Sequence, residues 1–255
     1  MFDILAERLR QGRRTVAFPD SLPPLPPRFR GLPELAATPC AAGCQFGCVA
    51  VCPTGALGAD ADGLFLDLGR CILCGACEGA CPAGRVTFTR NHRLASSTRE
   101  GLILRPGTAP EVTPLDPARR RLFARSLKLR QISAGGCNAC EADINVLGTI
   151  VFDLGRFGID FVASPRHADG VAVTGPVTEN MRQATIDTDL AVPDPRLVIA
   201  IGACAISGGL YAASPETHGG APGVLDAVDL FIPGCPPHPL TILDGLLRLL
   251  GRPTP

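Results

Sequence analysis

The twelve cysteines of this 255-residue chain are its most reactive common side chains. Glutathione and thioredoxin keep thiols reduced in the cytoplasm, so this many cysteines without a visible export signal indicate metal binding rather than disulfides. Eight of them lie between Cys40 and Cys81, and the other four are spread between Cys137 and Cys235. The two groups predict two different arrangements of thiolate ligands in two domains.

The eight clustered cysteines form two similar runs. The run Cys71, Cys74, Cys77, Cys81, Pro82 has the C-x-x-C-x-x-C-x-x-x-C-P spacing of bacterial ferredoxins, and the run Cys40, Cys44, Cys48, Cys52, Pro53 has three-residue gaps throughout. In those ferredoxins three thiolates of a run bind one 4Fe-4S cluster and the fourth binds the other cluster. The resemblance implies a first set of ligands, Cys40, Cys44, Cys48 and Cys81, and a second set, Cys71, Cys74, Cys77 and Cys52.

Zinc sites are the alternative interpretation of these runs, because four-thiolate zinc sites also arise from C-x-x-C pairs. Zinc ribbons, however, place two pairs far apart on separate knuckles. The segment from Cys71 to Cys81 compresses four cysteines into one short run that Pro82 closes. This compression favours iron-sulfur clusters.

Residues 121–255 alternate short apolar runs with helical patterns, which is typical of β-α-β units. The predicted strands are "LKLRQIS", "IDFVASP", "GVAVTGP", "RLVIAIGA" and "LFIPG", and the predicted helices are "EADINVLGTIVFDLG", "VTENMRQATID" and residues 239–250. Runs rich in Val and Ile are typical of strands that are buried on both faces of a parallel sheet. We therefore expect a flavodoxin-like three-layer α/β domain with a parallel sheet.

The four spread cysteines all follow predicted strands. Cys137 and Cys140 come after "LKLRQIS", Cys204 follows "RLVIAIGA", and Cys235 follows "LFIPG". The carboxyl ends of parallel strands lie at one edge of a sheet, so these thiols are expected to converge there. They form a third set, for a proximal 4Fe-4S cluster, and the twelve cysteines then supply three clusters with none left over.

Four motifs around the third set, "GCNACE", "TGPVT", "GACAISGG" and "PGCPP", carry a family resemblance. They resemble the small subunit of membrane-bound, energy-converting nickel-iron hydrogenases of the formate hydrogenlyase type, which is related to the quinone-proximal iron-sulfur subunit of respiratory complex I. The resemblance covers residues 121–255, and the preceding part resembles the two-cluster ferredoxin subunit of the same complexes. The complex I subunit has adjacent cysteines at the first ligand position, so the spacing of Cys137 and Cys140 favours the hydrogenase side.

This resemblance implies an oxidoreductase subunit that relays electrons through two ferredoxin clusters to the proximal cluster, which lies next to a nickel-iron large subunit. An electron-transfer subunit of a complex I-like quinone oxidoreductase is the alternative. A zinc-binding scaffold or assembly protein is an alternative of a different class. The implied partners are a hydrogenase-type or complex I-type large subunit together with other iron-sulfur and membrane subunits.

Composition divides the chain into four predicted segments. Residues 1–38 hold a helix, about Phe2 to Arg10, and a strap with six prolines in "FPDSLPPLPPRFRGLPEL", which forbid helix and favour an extended chain across the first domain or a partner. Residues 39–95 form the two-cluster ferredoxin domain. Residues 96–120, rich in Ser, Thr, Gly and Pro, form a linker. Residues 121–255 form the α/β domain.

The charge balance argues against nucleic acid as a partner. The chain has 24 Lys and Arg against 24 Asp and Glu, so no global field steers it to nucleic acid or anionic lipid. A basic run from Arg119 to Arg130 has only Phe123 among its aromatic neighbours, which indicates a solvated or subunit-facing helix. No window reaches the roughly 20 apolar residues of a spanning helix, and no secretory signal is visible. We expect a cytoplasmic location, on the inner membrane's cytoplasmic face through partner subunits.

Few other side chains near the predicted clusters could take part in chemistry. Glu141 directly follows Cys140 and could move protons near the cluster; the alternative, which the sequence favours, is a Glu that stabilises the first turn of a helix. His167, His218 and His238 stand singly, which is typical of surface or packing residues. Only His238, in "CPPHP", is expected close to the third set.

Overall fold

The computed structural model describes residues 2–40, 44–252 and 254. Its helices are α1 (Phe2–Gln11), α2 (Gly47–Ala50), α3 (Ala76–Gly79), α4 (Pro117–Phe123), α5 (Ala139–Leu147), α6 (Glu179–Leu190), α7 (Ala203–Ser207) and α8 (Pro239–Leu249). Its strands are β1 (Pro33–Leu35), β2 (Leu57–Asp60), β3 (Gly63–Asp67), β4 (Val86–Phe88), β5 (Ile103–Leu104), β6 (Leu127–Ser133), β7 (Ile159–Phe161), β8 (Gly170–Thr174), β9 (Leu197–Ile201) and β10 (Leu230–Ile232).

The α/β unit contains one five-stranded sheet in the order β10-β9-β8-β6-β7, and all neighbouring strands are parallel. Numbered from the first to the fifth strand of the unit, this is the 2-1-3-4-5 order of flavodoxin-like folds. The order reverses between β6 and β8, where a ligand site is expected in such a sheet. The predicted parallel α/β fold is confirmed.

The two faces of this sheet are covered differently. On one face, Ile144 and Leu147 of α5 share a buried core with Leu243 and Leu247 of α8, as the leucine spacing of α8 predicts. On the other face, Val171 and Val198 belong to the same continuous apolar cluster as three leucines of the ferredoxin unit, Leu64, Leu66 and Leu68. The ferredoxin unit therefore shares a hydrophobic core with the α/β unit and does not form a separate domain with a core of its own.

The ferredoxin unit is built from the two cysteine runs and two small antiparallel sheets. The hairpin of β2 and β3 lies between the runs, and β5 extends its sheet. The other sheet pairs β4 with β1, so the proline-rich strap ends in a strand. Pro33 stands at the first residue of β1, where the loss of a backbone donor is tolerated.

The strap contacts both units of the chain. Phe18, its first residue, is buried in the α/β core, and just before it Val16 N donates to the Val151 carbonyl oxygen at 2.9 Å. Farther along, Arg90 of the ferredoxin unit donates to the Leu25 carbonyl oxygen at 2.5 Å. The strap therefore fastens the two units to each other.

Two segments differ from the pattern of the sequence. Helix α5 ends at Leu147, with Gly148 as its C-cap, where the sequence pattern predicts a helix to residue 155. Residues 96–120 are structured: Ser96 pairs with Phe231 beside the parallel sheet, and Asp116 caps α4. Within the described ranges, no helix has both the length and the apolar character needed to cross a bilayer.

Candidate iron-sulfur sites

Three cysteine-bearing turns have the same local conformation. A residue in the left-handed region precedes each of the helices α2, α3 and α5: Phe46 (φ 50°), Gly75 (φ 79°) and Asn138 (φ 69°). Left-handed backbone favours Gly and is tolerated by Asn. Asn138 therefore has a local role, because it turns the chain between Cys137 and Cys140 at the start of α5.

The first set of thiols lies around one cavity. Cys40, Cys44, Cys48 and Cys81 line a cavity of about 440 Å³, so Cys81 joins the run to which it does not belong in sequence. Burial raises the pKa of Cys40, and the neighbouring Cys44 and Cys81 raise it further. The residues between Cys40 and Cys44 lie outside the described ranges.

The second set gathers around the buried Cys71. Burial raises the pKa of Cys71 to about 12, although a hydrogen bond from the Leu73 N–H acts to lower it. The nearby Cys77, Cys52 and Cys74 raise this pKa further. Cys52 is the exception in this set: burial opposes ionisation of its thiol, but the backbone N–H groups of Leu57, Thr54 and Ala56 lower its pKa overall. The Ala56 nitrogen donates to Cys52 Sγ at 3.2 Å. Hydrogen bonds of this kind to ligand sulfurs tune the reduction potential of a bound cluster.

The third set lies at the carboxyl edge of the parallel sheet. Cys137 and Cys140 follow β6, Cys204 follows β9, and Cys235 follows β10. Burial raises the pKa of Cys140, and the charges of Glu141, Cys204 and Cys235 raise it further. Burial also raises the pKa of Cys204 to about 11, with added contributions from Cys235 and Cys137. The structure thus brings all four thiols together, and Cys137 and Cys235 remain exposed.

Gly202 allows the sheet backbone to approach this set. A Cβ atom placed on Gly202 would lie 2.5 Å from Cys140 Sγ, and Gly202 also has a positive φ of 93°. Both features require glycine at the end of β9. The motif "GACAISGG" begins at Gly202, but its spacing does not indicate that this glycine lies against Cys140.

The donor sets fit 4Fe-4S clusters in number and type, since each set supplies four cysteine sulfurs. Across residues 2–40, 44–252 and 254, no three His, Cys, Asp or Glu side chains stand close enough together to share one metal ion. A cubane has a different requirement, because each thiolate binds a separate iron at its own corner. The cavity that the first set lines offers a space for such a group.

Glu141 is buried at the boundary between β6 and β8. Ser133 Oγ donates to Glu141 Oε1 at 2.7 Å, and Thr174 Oγ1 lies 2.7 Å from the same oxygen. Ser133 and Thr174 are the last residues of β6 and β8, so the carboxylate joins the two strands where the sheet order reverses. Glu141 also stands in the first turn of α5. Its proton-transfer role stays a prediction.

The histidines contribute to packing and surface contacts. His238 Nδ1 accepts a hydrogen bond from Leu240 N at 3.1 Å, which caps α8, and its ring lies edge-on to Phe29 and Phe152. Burial lowers the pKa of His238. His218 contacts Glu179 at 2.5 Å, and His167 is exposed.

His92 and Asp244 form a buried pair that no sequence motif indicates. His92 Nε2 lies 4.0 Å from Asp244 Oδ1, and both side chains are almost fully buried. Arg93 and Arg248 also face this carboxylate, at 3.6 and 3.5 Å. A lone histidine outside any motif carries no signal in a single sequence, because its partner Asp244 is distant along the chain.

Comparison with known proteins identifies the family of the α/β unit. Residues 137–249 match the family described as the NADH ubiquinone oxidoreductase 20 Kd subunit, and residues 62–83 match a 4Fe-4S binding domain. The probable membrane-bound hydrogenase subunit mbhJ of Pyrococcus furiosus is 40% identical over 132 residues, which are 52% of this chain and 78% of that protein.

Two further relatives come from different complexes. Formate hydrogenlyase subunit 7 of Escherichia coli is 42% identical over 127 residues, 50% of this chain and 49% of that protein. An NADH-quinone oxidoreductase subunit of Citrifermentans bemidjiense is 41% identical over 119 residues, 46% of this chain and 68% of that protein. These relatives are oxidoreductase subunits. The chain belongs to the family of the complex I 20 kDa subunit and the nickel-iron hydrogenase small subunit, and it carries a ferredoxin-type 4Fe-4S motif on the same polypeptide.

Proposed function

We propose that this chain is the electron-transfer subunit of a multisubunit hydrogenase-type oxidoreductase and that its twelve cysteines hold three 4Fe-4S clusters. The observation that carries the proposal is the presence of three four-thiol sets on one chain, with the second set packed against the domain that holds the third. Its relatives in membrane-bound hydrogenase and formate hydrogenlyase support the assignment. When bound, 4Fe-4S clusters supply one-electron transfer.

The loops of the second and third sets touch each other. Gly69 stands two residues before Cys71, and Ser207 ends the helix α7 that carries Cys204. Ser207 Oγ donates to the Gly69 carbonyl oxygen at 3.0 Å. A Cβ atom placed on Gly69 would lie 2.8 Å from Ile206 Cγ2, so the two loops are in close contact.

A second contact supports the same arrangement. Ile72 and Leu73, inside the second run of cysteines, line a cavity of about 240 Å³ together with Cys235 and His238 of the α/β unit. By contrast, the residues that line the cavity of the first set all come from the ferredoxin unit. We infer that the second set stands between the first and the third, and that the first set faces an outside electron donor or acceptor.

The exposed edge of the third set is the proposed contact with a large subunit that carries the catalytic site. Cys137 and Cys235 are exposed there. Leu210 and Tyr211 are large exposed side chains that follow Gly209, which itself lies against Cys204. Apolar and aromatic residues beside a buried centre are typical of protein interfaces. Partner subunits would hold the assembly on the cytoplasmic face of the membrane.

The two-residue gap between Cys137 and Cys140 favours a nickel-iron partner over a quinone-reducing one. The similarity to the NADH-quinone oxidoreductase subunit of Citrifermentans bemidjiense keeps the complex I-like function as the second candidate. A zinc-binding scaffold would have no redox role, and its metal content would differ, because it would hold zinc and no iron.

The test is anaerobic purification of the chain with its partner subunits, followed by metal analysis and EPR spectroscopy of the reduced complex. We expect about 12 iron atoms per chain, four for each of three clusters, and nickel in the co-purifying large subunit. Stoichiometric zinc without iron would contradict the cluster assignment. Full iron content without nickel, together with quinone reduction, would instead support the complex I-like function.

A further inference from the structure

Helix α1 carries an apolar stripe that the described part of the chain leaves uncovered. Phe2, Leu5 and Leu9 recur at helical spacing on one side of α1 and are 87%, 56% and 84% exposed. No residue of α1 is buried. An isolated helix of this length is marginal in water, so the stripe requires a surface on which to pack.

Arginines border this stripe. At 100° per residue, Arg8 and Arg10 project on the two sides of the stripe, and Arg13 and Arg14 follow directly after the helix. Arg10 pairs with Glu7, whereas neither Arg13 nor Arg14 forms an ion pair within the described ranges. Arginine can lay its aliphatic stem along apolar surface while its guanidinium reaches polar groups.

The stripe adjoins a second exposed apolar patch on the α/β unit. Thr15 Oγ1 donates to the Ile150 carbonyl oxygen at 2.8 Å, and this contact holds the end of α1 beside Ile150 and Val151. Ile150 is 69% exposed. Arg8, Arg13, Arg14 and Ile150 line one cavity of about 510 Å³, to which Arg156, Asp20 and Asp153 also contribute. Basic and apolar side chains therefore meet in one place.

This surface shares no residue with the proposed contact with the large subunit. That contact is formed by Cys137, Cys235, Leu210 and Tyr211. Ile150 and Val151 instead follow the end of α5 and lie beside the segment that follows α1.

We propose that this basic apolar surface, formed by Phe2, Leu5, Leu9, Ile150 and Val151 with Arg8, Arg10, Arg13 and Arg14, lies in the headgroup region of an anionic phospholipid bilayer. An amphipathic helix of low mean hydropathy, with arginines beside its apolar stripe, is the pattern of interfacial helices. Residues 2–14 contain four arginines against Asp3 and Glu7, a local excess that complements anionic headgroups although the whole chain has zero net charge. This lipid contact would add to the membrane attachment that partner subunits provide, and it does not depend on the clusters.

The test is flotation of the full chain, purified anaerobically, with vesicles of phosphatidylcholine and phosphatidylglycerol or of phosphatidylcholine alone. We expect binding to the anionic vesicles only. The double variant Leu5→Gln/Leu9→Gln should lower the affinity about tenfold or more, because glutamine keeps the helix propensity but removes apolar burial. Arg13→Gln/Arg14→Gln should lower it about 25-fold at low salt, since each basic residue near an anionic surface contributes about fivefold.

Two matched control variants lie elsewhere on the surface. Leu190→Gln changes an exposed leucine of α6, and Arg121→Gln/Arg125→Gln removes two exposed arginines at the end of α4. Both controls should bind the anionic vesicles like the wild type. Absence of binding to anionic vesicles, or equal losses in the controls, would overturn the proposal. It is also wrong if Leu5→Gln/Leu9→Gln leaves vesicle binding intact but releases a protein subunit from the purified complex.

Discussion

Ser207 and Gly69 join the two halves of this protein through a hydrogen bond of 3.0 Å from the serine hydroxyl to the glycine carbonyl. Gly69 lies two residues before Cys71, the first cysteine of the second run, and Ser207 is the last residue of α7, which contains Cys204. The contact places the second and third sets of thiols in adjoining loops. Packing between the two units therefore governs the proposed passage of electrons.

Replacing Gly69 with valine should separate these loops. The new side chain would meet Ile206 and the Arg99 guanidinium, which lie 2.8 and 3.1 Å from a Cβ atom placed on Gly69. We expect the free energy of unfolding to fall by about 1–3 kcal/mol, as for other overpacked sites, and electron transfer between the second and third clusters to slow. Denaturant unfolding and rapid-freeze EPR measure the two effects.

Gly79→Ala is the matched control for Gly69, because a Cβ atom on Gly79 has open space around it. It should leave both the unfolding free energy and the electron-transfer rate close to the wild-type values. Equal effects of the two variants would contradict the role of the Gly69 contact.

Exchange of the fourth ligands can be tested by replacing Cys81 with serine. Cys81 belongs to the second run in sequence but lines the cavity of the first set. The variant should therefore lose or alter the EPR signal of the first cluster and keep that of the second. Cys52→Ser is the reciprocal control and should affect only the second cluster. The ligand assignment is wrong if each variant instead alters the cluster of its own run.

Replacing Cys204 with serine should remove only the cluster of the α/β unit. Cys204 lies close to Cys235 and Cys137, whose charges add to burial in raising the pKa of its thiol, and it also lies close to Cys140. We expect the iron content to fall from about 12 to about 8 atoms per chain while both ferredoxin EPR signals remain. Loss of a ferredoxin signal would show that the division of ligands is incorrect.

Gly202→Ala should also weaken binding of a cluster by the third set of thiols, although it removes none of the four cysteines. Its methyl group would lie 2.5 Å from Cys140 Sγ, and alanine is strained at a φ of 93°. We expect lower iron occupancy of the third cluster, measured by EPR spin quantitation. Gly148→Ala is the matched control, since Gly148 has a φ of −78° and ordinary contacts. A third-cluster signal of wild-type intensity in Gly202→Ala would contradict the prediction.

Glu141→Gln should raise the reduction potential of the third cluster, because it removes a negative charge next to Cys140. The amide can still bond Ser133 and Thr174, so the fold should be retained. Glu141→Ala removes the carboxylate that contacts both hydroxyls and leaves Thr174 Oγ1 only the Ile132 carbonyl oxygen at 3.1 Å, so it should lower the unfolding free energy by about 1–3 kcal/mol. A redox titration followed by EPR measures the potential, and an unchanged potential in Glu141→Gln would count against this electrostatic role.

Stability should fall in mild acid because of His238. Burial lowers the pKa of His238 below its usual 6.5, so the unfolded chain binds a proton more readily than the folded chain. The contribution of neutral His238 to the free energy of unfolding is therefore fully present above pH 6.5, and it declines as the pH falls below that value. Unfolding free energies measured between about pH 7.5 and pH 5.5 should show a smaller decline in His238→Gln than in the wild type. His167→Gln, which changes an exposed histidine, should show the wild-type decline.

Local patterns in the sequence were enough to predict the parallel α/β fold, the ferredoxin-type motif and the family. Cysteine spacing and apolar periodicity act over a few residues, so they can be read without coordinates. The convergence of the third set was also predictable, because parallel strands end at one edge of a sheet. The burial of the leucines of α8 follows from the same local periodicity.

The contacts between distant elements, by contrast, become visible only in the folded chain. Gly69 and Ser207 are 138 residues apart in the chain, and no local pattern relates them. The same holds for His92 beside Asp244, for Gly202 against Cys140, and for the end of the proline-rich strap in β1. The exposure of α1 could not be predicted either. A hydrophobic stripe predicts a helix, but it does not show whether another part of the same chain packs against that stripe. Such contacts depend on how all the elements pack together, and sequence spacing does not encode that packing locally.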